Sequence, residues 1–141
     1  MLYRRLRPDE SWQFGLSAKN DLSDTTVFEH VTTGSQESES KFISTCGSLN
    51  AMFKFTNKCV YSGRIVKIWE KNLPVVKIDL RAQEYRDNYH IGNNANENKK
   101  FDNNARAFEE VLLVGYVPET HVELLTKSDF YLEICPVWLK N

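Results

Sequence analysis

Short runs of apolar residues, bounded by glycine, proline or polar clusters, recur along the chain and predict β-strands. They predict six strands, at residues 2–6, 41–46, 63–69, 74–80, 108–115 and 120–125. In the fifth strand two carboxylates, Glu109 and Glu110, run directly into a stretch of Val and Leu that Gly115 ends. A glutamate is almost never fully buried without a partner. This strand therefore carries a carboxylate that faces either solvent or a cleft.

The same alternation places a charged residue among apolar ones in the first predicted strand. Arg4 shares a face with Leu2 and Leu6, because side chains two residues apart point the same way. Two interpretations follow: an edge strand whose arginine reaches water along its aliphatic stem, or an arginine that serves a site. Periodicity alone favours neither of them.

Helical spacing predicts two short helices and gives one histidine a position. Apolar residues four apart predict a helix over residues 25–33, with Asp24 as its N-cap. A second helix is predicted over residues 48–55, with Ser48 as its cap. His30 has polar neighbours on the first helix, so we expect a surface or capping residue rather than a ligand.

Two segments lack strong periodicity. Residues 81–104 contain seven asparagines and few aliphatic residues, which predicts a long asparagine-rich loop. Residues 127–141 form a C-terminal extension with enough apolar surface to pack onto the domain or onto a partner. The rest of the chain, residues 1–126, is expected to be one compact domain.

Composition narrows the function classes. The 141 residues carry 18 Lys and Arg against 19 Asp and Glu, a formal charge of -1, so no overall field attracts nucleic acid or an anionic membrane. A local basic patch, and with it nucleic acid, stays open. The three cysteines lack metal-type spacing and predict reduced thiols in the cytoplasm. No signal-peptide pattern, membrane span or metal motif is predicted, and so no metal.

Three separated segments together resemble one enzyme superfamily. An arginine strand, a Ser-Thr strand and a Glu strand follow one another in the order found in the toxin-like ADP-ribosyltransferases. The segments are residues 2–4 (LYR), 42–45 (FIST) and 110–112 (EVL). Residues 30–35, 63–66 and 115–118 look like those of an uncharacterised subgroup of that superfamily, and the resemblance spans roughly residues 2 to 125.

This resemblance implies an α+β fold with a split two-sheet β core and nicotinamide adenine dinucleotide (NAD) bound, as a substrate, in the cleft between the sheets. Arg4 would contact an NAD phosphate or ribose. Ser44, with Thr45, would order the pocket and position the glutamate. Glu110 would be the catalytic residue.

The proposed chemistry needs these residue types. Cleavage of the bond between nicotinamide and ribose passes through an oxocarbenium-like state, which a carboxylate bonded to the ribose 2′-hydroxyl stabilises. Arginine stays charged and can grip phosphate oxygens in pairs. Phe53 or Phe55, on the helix after the Ser-Thr strand, could wall the nicotinamide by stacking; ordinary core packing is the alternative for both.

The sequence departs from the superfamily pattern at a position that restricts which acceptor is expected. Phe108 stands two residues before the motif glutamate, where many protein-modifying members carry Glu or Gln, so transfer to an arginine side chain is not expected. Strand alternation turns Glu109 and Glu110 to opposite faces. Only one of them can enter the cleft, and the Glu-Val-Leu continuation selects Glu110.

The leading hypothesis is thus an NAD-dependent mono-ADP-ribosyltransferase acting on an unidentified acceptor, either a macromolecule or a partner protein. Two alternatives keep the same cleft: an NAD glycohydrolase, and a non-catalytic module that binds a nucleotide or a protein. A third alternative is a structural adaptor that uses the aromatic C-terminal extension as its interface.

Overall fold

A computed structural model describes residues 1–34, 40–54, 61–91 and 93–133 of the chain. Short strands and helices alternate along these residues, with 3-10 turns at Trp12–Phe14, Asp87–Tyr89 and Glu119–His121. In chain order the elements are β1 (Leu2–Arg5), α1 (Val27–Thr33), β2 (Phe42–Cys46), α2 (Leu49–Phe53), β3 (Ile65–Ile68), β4 (Val76–Asp79), α3 (Gln83–Arg86), α4 (Ala95–Ala107), β5 (Glu110–Val114), β6 (Val122–Leu124) and α5 (Lys127–Glu133).

The fold is α+β, as predicted, but its strands join differently from the expectation. All six described strands lie in one antiparallel sheet of order β4-β5-β2-β1-β3-β6. The resemblance implied two sheets; β1 joins the two halves because it pairs with β2 on one side and with β3 on the other. The N-terminal strand is therefore central, and the interpretation of an edge strand is wrong.

The join between the two halves is narrow. β1 and β2 pair at a single position, Tyr3 with Cys46, whereas β1 and β3 pair at four positions and β2 and β5 at five. We call this weakly paired boundary between β1 and β2 the seam. Because few ladder hydrogen bonds cross it, side chains must complete the contact there.

The two faces of the sheet are covered differently. On one face, α1 and α4 pack over β2, β4 and β5 through a cluster that includes Val31, Phe101 and Leu112. On the same face, α2 and α5 pack over β1 and β3 through Phe53 and Phe130. The opposite face carries a separate cluster, to which every strand except β4 and several loops contribute. Its buried members are Leu2, Leu6, Leu16, Ile43, Val66, Ile68, Val111, Leu113, Val117 and Val122.

The two predicted helices form, each with a hydroxyl cap. Thr26, rather than Asp24, caps α1, since its hydroxyl accepts the backbone N–H of Glu29 at 3.1 Å. Ser48 caps α2 as predicted and accepts the N–H of Ala51 at 3.1 Å. Caps matter here because helices of five and seven residues have little stability of their own.

The predicted loop over residues 81–104 is wrong: most of it is helical. α3 and a 3-10 turn lie in its first part, and α4 extends over thirteen residues at its end. Asparagine has a low helix propensity, which explains the prediction. Tertiary packing overrides it, because Phe101 and Ala105, four residues apart, are fully buried against the sheet and α1.

Replacing the α4 cap should weaken the fold measurably. The Asn94 side chain accepts the N–H of Glu97 at 3.1 Å. We expect Asn94→Ala to lower the free energy of unfolding by about 1 kcal/mol, measured by urea denaturation. Asn93→Ala is the matched control, since that side chain is exposed and makes no cap. Equal stability of the two variants would contradict the assignment of the cap.

The C-terminal extension begins with α5, which packs on the domain. Phe130 is buried and meets the Phe53 ring edge-on at 5.7 Å, and Lys67 on β3 forms an ion pair with Asp129 at 2.8 Å. The rest of the extension, with Cys135 and Trp138, lies outside the described residues. Within the residues that are described, no helix is long and apolar enough to cross a membrane.

Candidate functional site

Strand register brings the motif serine and the motif glutamate to one place. Ser44 pairs with Leu112, and Cys46 pairs with Glu110 two residues further along. Paired residues share a face, so Ser44 and Glu110 point to the same side of the sheet as neighbours on adjacent strands. The Ser44 hydroxyl faces the Glu110 carboxyl group, near enough to lower the pKa of that group by hydrogen bonding. The prediction that Glu110 turns inward while Glu109 does not agrees with this register.

The two side chains meet at a cavity of about 190 Å³ between β2, β5, α1 and α4. Its size is below the roughly 300–1,000 Å³ typical of ligand pockets. It could take one small ring, and a larger ligand would extend outside it. The walls combine α1 with the C-terminal end of α4, and the lining residues are His30, Val31, Thr32, Thr33, Gly34, Ser44, Asn104, Phe108 and Glu110.

Glu110 occupies a site that disfavours its charge. It is 6% exposed, and burial raises the pKa of its carboxyl group to about 8. The Ser44 hydroxyl and the positive charge of Arg4 lower that pKa but do not overcome desolvation. At neutral pH the free protein therefore holds Glu110 mostly protonated. A displaced carboxylate pKa beside a cavity is typical of functional sites.

His30 is buried, at 2% exposed, so the expectation of a surface or capping histidine is wrong. Its Nε2 lies 2.6 Å from the Ser44 hydroxyl and its Nδ1 lies 2.8 Å from the Ser40 hydroxyl. Burial and the charges of Arg4 and Lys19 lower the pKa of His30 to about 4, so the ring is neutral at pH 7. A signal existed in the sequence: His30 lies three residues after the apolar Val27, on the buried face of α1.

Arg4 closes the seam. Its Nη1 donates to the carbonyl of Ser44 at 2.8 Å, while its Nε and Nη2 donate to the Glu10 carboxylate at 3.3 and 2.9 Å. Both members of this ion pair are buried, with side chains 9% and 6% exposed. These bonds use three of the five guanidinium N–H groups. Arg4 thus touches the backbone of Ser44 and acts on Glu110 through its charge, without lining the cavity.

The remaining predicted ligand residues lie apart from the cavity. Thr45 points to the opposite face of the sheet, where its hydroxyl donates to the carbonyl of Val111 at 2.6 Å. Phe53, on α2, is buried in the core together with Phe130 of α5. This is the ordinary core packing that was the alternative to stacking on nicotinamide. Phe55 lies outside the described residues. Of the described residues predicted to hold NAD, Ser44 alone reaches the cavity wall.

Thr45 should contribute to stability through β2 and β5. Thr45→Val removes the only hydroxyl that bonds the Val111 carbonyl in the described structure and leaves that acceptor buried. We expect the free energy of unfolding to fall by about 1 kcal/mol, read from urea denaturation. A variant as stable as the parent protein would show that the hydroxyl is not bonded in this way.

Two residues beside the motif glutamate have roles that the sequence did not suggest. Phe108 ends α4 and forms part of the cavity wall, so an aromatic ring stands at the site although Phe53 does not. Glu109 adopts a left-handed backbone, with φ of 46°, and accepts a hydrogen bond from Ser48 at 2.6 Å. This conformation lets α4 turn directly into β5. Glu109 is thereby held by α2, away from the cavity.

No group of three or more His, Cys, Asp or Glu side chains suited to a metal occurs in the described part of the chain. Cys46 is a buried free thiol whose pKa burial raises. Comparison of this chain with protein-family models, with curated proteins and with solved structures gives no match.

Proposed function

We propose that this protein is an NAD-dependent mono-ADP-ribosyltransferase of the toxin-like class. The observation that carries the proposal is the hydroxyl and carboxyl pair of Ser44 and Glu110, which shares one cavity and lies beside the seam that Arg4 closes. The three segments that resemble that class lie far apart in sequence, yet they are neighbours in the sheet. The seam would then be the place where the two-sheet split of such enzymes opens.

NAD would enter with its nicotinamide end first, since the cavity can hold a single ring and the rest of the dinucleotide must extend along the seam. The Phe108 ring offers an apolar wall for that end. Arg4 shares its face with Leu2 and Leu6 and does not line the cavity. Its two N–H groups that make no hydrogen bond to a described residue could therefore meet the pyrophosphate only where NAD crosses the seam. These assignments replace the proposed stacking on Phe53.

In the reaction the bond between ribose C1′ and the nicotinamide nitrogen breaks, and its electron pair leaves with nicotinamide. Positive charge develops on the ribose, where ionised Glu110, bonded to the 2′-hydroxyl, stabilises it. The acceptor nucleophile then attacks C1′ and loses its proton. Water as the nucleophile would make the protein an NAD glycohydrolase.

The ionisation state of Glu110 should control this chemistry. Because its pKa is about 8 in the free protein, we expect kcat/KM to rise about tenfold per pH unit up to pH 8 and to level off above it. The nicotinium charge of bound NAD favours the carboxylate, so the profile of kcat should lie at lower pH. Nicotinamide release measured from pH 6 to 9.5 would show this; a flat profile would contradict the role of Glu110.

The test of the proposed function is incubation of the purified chain with NAD, with nicotinamide and free ADP-ribose quantified by chromatography. Nicotinamide without stoichiometric free ADP-ribose indicates transfer to an acceptor, with the chain itself counted among the acceptors. Equal amounts of the two products indicate a glycohydrolase. No nicotinamide release at pH 7 to 9, with or without cell extract as a source of acceptor, would overturn the enzymatic proposal.

A second candidate is a non-catalytic nucleotide- or protein-binding module on the same fold. The observation that favours it is the resting state of the site, in which Glu110 is mostly neutral and Arg4 is paired with Glu10. Calorimetry separates the candidates. Heat of NAD binding without turnover supports the module, and the absence of any NAD binding would contradict every proposal that places NAD in this cavity.

A further inference from the structure

A chain of hydrogen bonds reaches from the protein interior to the motif glutamate. It consists of Ser40, His30, Ser44 and Glu110, with His30 Nδ1 2.8 Å from the Ser40 hydroxyl and Nε2 2.6 Å from the Ser44 hydroxyl. Ser40 and His30 are each 2% exposed. Neither residue belongs to the arginine, Ser-Thr or Glu segment, although His30 begins the supporting segment at residues 30–35.

The direction of this chain can be worked out from its buried end. The Ser40 hydroxyl accepts the backbone N–H of Phe42 at 2.9 Å, and its remaining polar side-chain contact with the described residues is His30 Nδ1. A hydroxyl has one proton and two lone pairs, and donating that proton to Nδ1 is the arrangement that leaves no buried Ser40 proton without a partner among the described residues. A neutral imidazole that accepts at Nδ1 must carry its proton at Nε2. Nε2 then donates to Ser44, whose own proton points to Glu110.

We propose that His30 is a positioning residue: held with its proton on Nε2 by Ser40, it directs the Ser44 hydroxyl proton onto the Glu110 carboxylate. The proposal deepens the proposed function, on which it rests for the use of that carboxylate in catalysis. The benefit is specific, because a donor aimed at the carboxylate favours its ionised form and fixes its orientation. No proton is transferred along the chain.

The charged surroundings are consistent with a neutral ring. Arg4 on β1 and Lys19 in the loop before α1 both oppose a positive charge on His30. The negative partner of Arg4 is Glu10, and Cys46 on β2 stays protonated beside Glu110. Because His30 is neutral over the pH range of the assay, Glu110 is the member of this hydrogen-bond chain that titrates there.

Two measurements on the apo protein test the positioning role. Long-range proton-nitrogen correlation spectra resolve the tautomers of the three histidines, and the signal lost in His30→Leu identifies His30. Carbon-detected titration of the glutamate carboxyls gives the pKa of Glu110, with Glu110→Gln identifying its signal. We expect Nε2–H on His30 at pH 7, and a Glu110 pKa raised by about one unit in His30→Leu and by about half a unit in Ser40→Ala.

Two variants control for general loosening of the site. His30→Gln carries an amide N–H near the place of Nε2–H and should return the Glu110 pKa to within about 0.3 unit of the parent value. Thr45→Val weakens the same strand from its opposite face and should leave that pKa unchanged. A proton on Nδ1 of His30 would overturn the proposal, and so would an unchanged Glu110 pKa in both Ser40→Ala and His30→Leu. If His30→Leu does not fold, His30→Gln identifies the His30 signal. The tautomer of His30 and the Glu110 pKa in Ser40→Ala then decide the outcome. These results do not depend on NAD turnover, so absent nicotinamide release would overturn the proposed function alone.

Discussion

Glu110→Gln should lower nicotinamide release by about 100- to 1,000-fold, because removing one group that stabilises charge in a transition state typically costs that factor. Glutamine keeps the size of the side chain and its contact with Ser44, but it cannot carry the negative charge that the developing oxocarbenium ion requires. The effect should appear in kcat more than in KM, since the charge develops only in the transition state. Initial rates over a range of NAD concentrations would measure it.

The chain offers a matched control in the neighbouring residue. Glu109→Gln makes the same chemical change one position earlier, where the side chain bonds Ser48 and lies apart from the cavity. We expect this variant to retain the activity of the parent protein, because the amide oxygen of glutamine can still accept from Ser48. If both variants lose activity equally, the loss comes from the structure of the strand and not from the charge of Glu110.

Glu110→Gln should also stabilise the fold in alkaline solution. The pKa of Glu110 is about 8 in the folded protein against an ordinary value of 4.5. A raised folded pKa means that its contribution to stability is complete below pH 4.5, decreases as pH rises and is lost by about pH 8. The loss over this window is on the order of 5 kcal/mol. Glutamine has no such titration, so the variant should gain on the parent protein as pH rises.

Urea denaturation of both proteins at pH 5, 7 and 9 would test this expectation. Other titrating groups are common to the two proteins and cancel in their difference. We expect nearly equal free energies of unfolding at pH 5 and an advantage of several kcal/mol for Glu110→Gln at pH 9. A difference that does not change with pH would mean that Glu110 titrates near its ordinary value and is not desolvated as the structure has it.

Together the two results would describe a trade between stability and activity at one residue. A carboxyl group held in a dry site destabilises the fold when it ionises, and the same dry site makes its charge effective on a substrate. A non-catalytic binding module would not need a desolvated carboxyl group at this position. Greater stability of Glu110→Gln without any loss of function would therefore favour the non-catalytic candidate.

Local sequence patterns predicted the strands and two helices well. Residues 42–46 and 110–114 are strands because β-branched and other apolar residues run without a break between turn residues. Local patterns failed for residues 95–104 of α4, because this helix depends on burial of Phe101 and Ala105 against elements distant in sequence. They also failed for His30, whose polar neighbours concealed its place on the buried face of α1. In both cases the missing information was what packs against the segment.

The site itself divides in the same way. The resemblance to the ADP-ribosyltransferases names Arg4, Ser44 and Glu110 and selects Glu110 over Glu109. Strand alternation adds that the two glutamates point to opposite faces, because side chains along a strand have a period of two. Sequence could not join the two halves of the sheet through β1, since strand pairing brings together residues tens of positions apart. Nor could it provide Glu10 as the partner of Arg4.

The amino-acid sequence by itself determined the α+β class, most of the strands, and the serine and glutamate that meet at the cavity. Only the tertiary structure decided the protonation of Glu110, the burial of His30 and the exclusion of Thr45 and Phe53 from the site. The physical reason is that residue identity and spacing set local conformation, whereas desolvation, the pKa of a group and its hydrogen-bond partners depend on every element that packs around it.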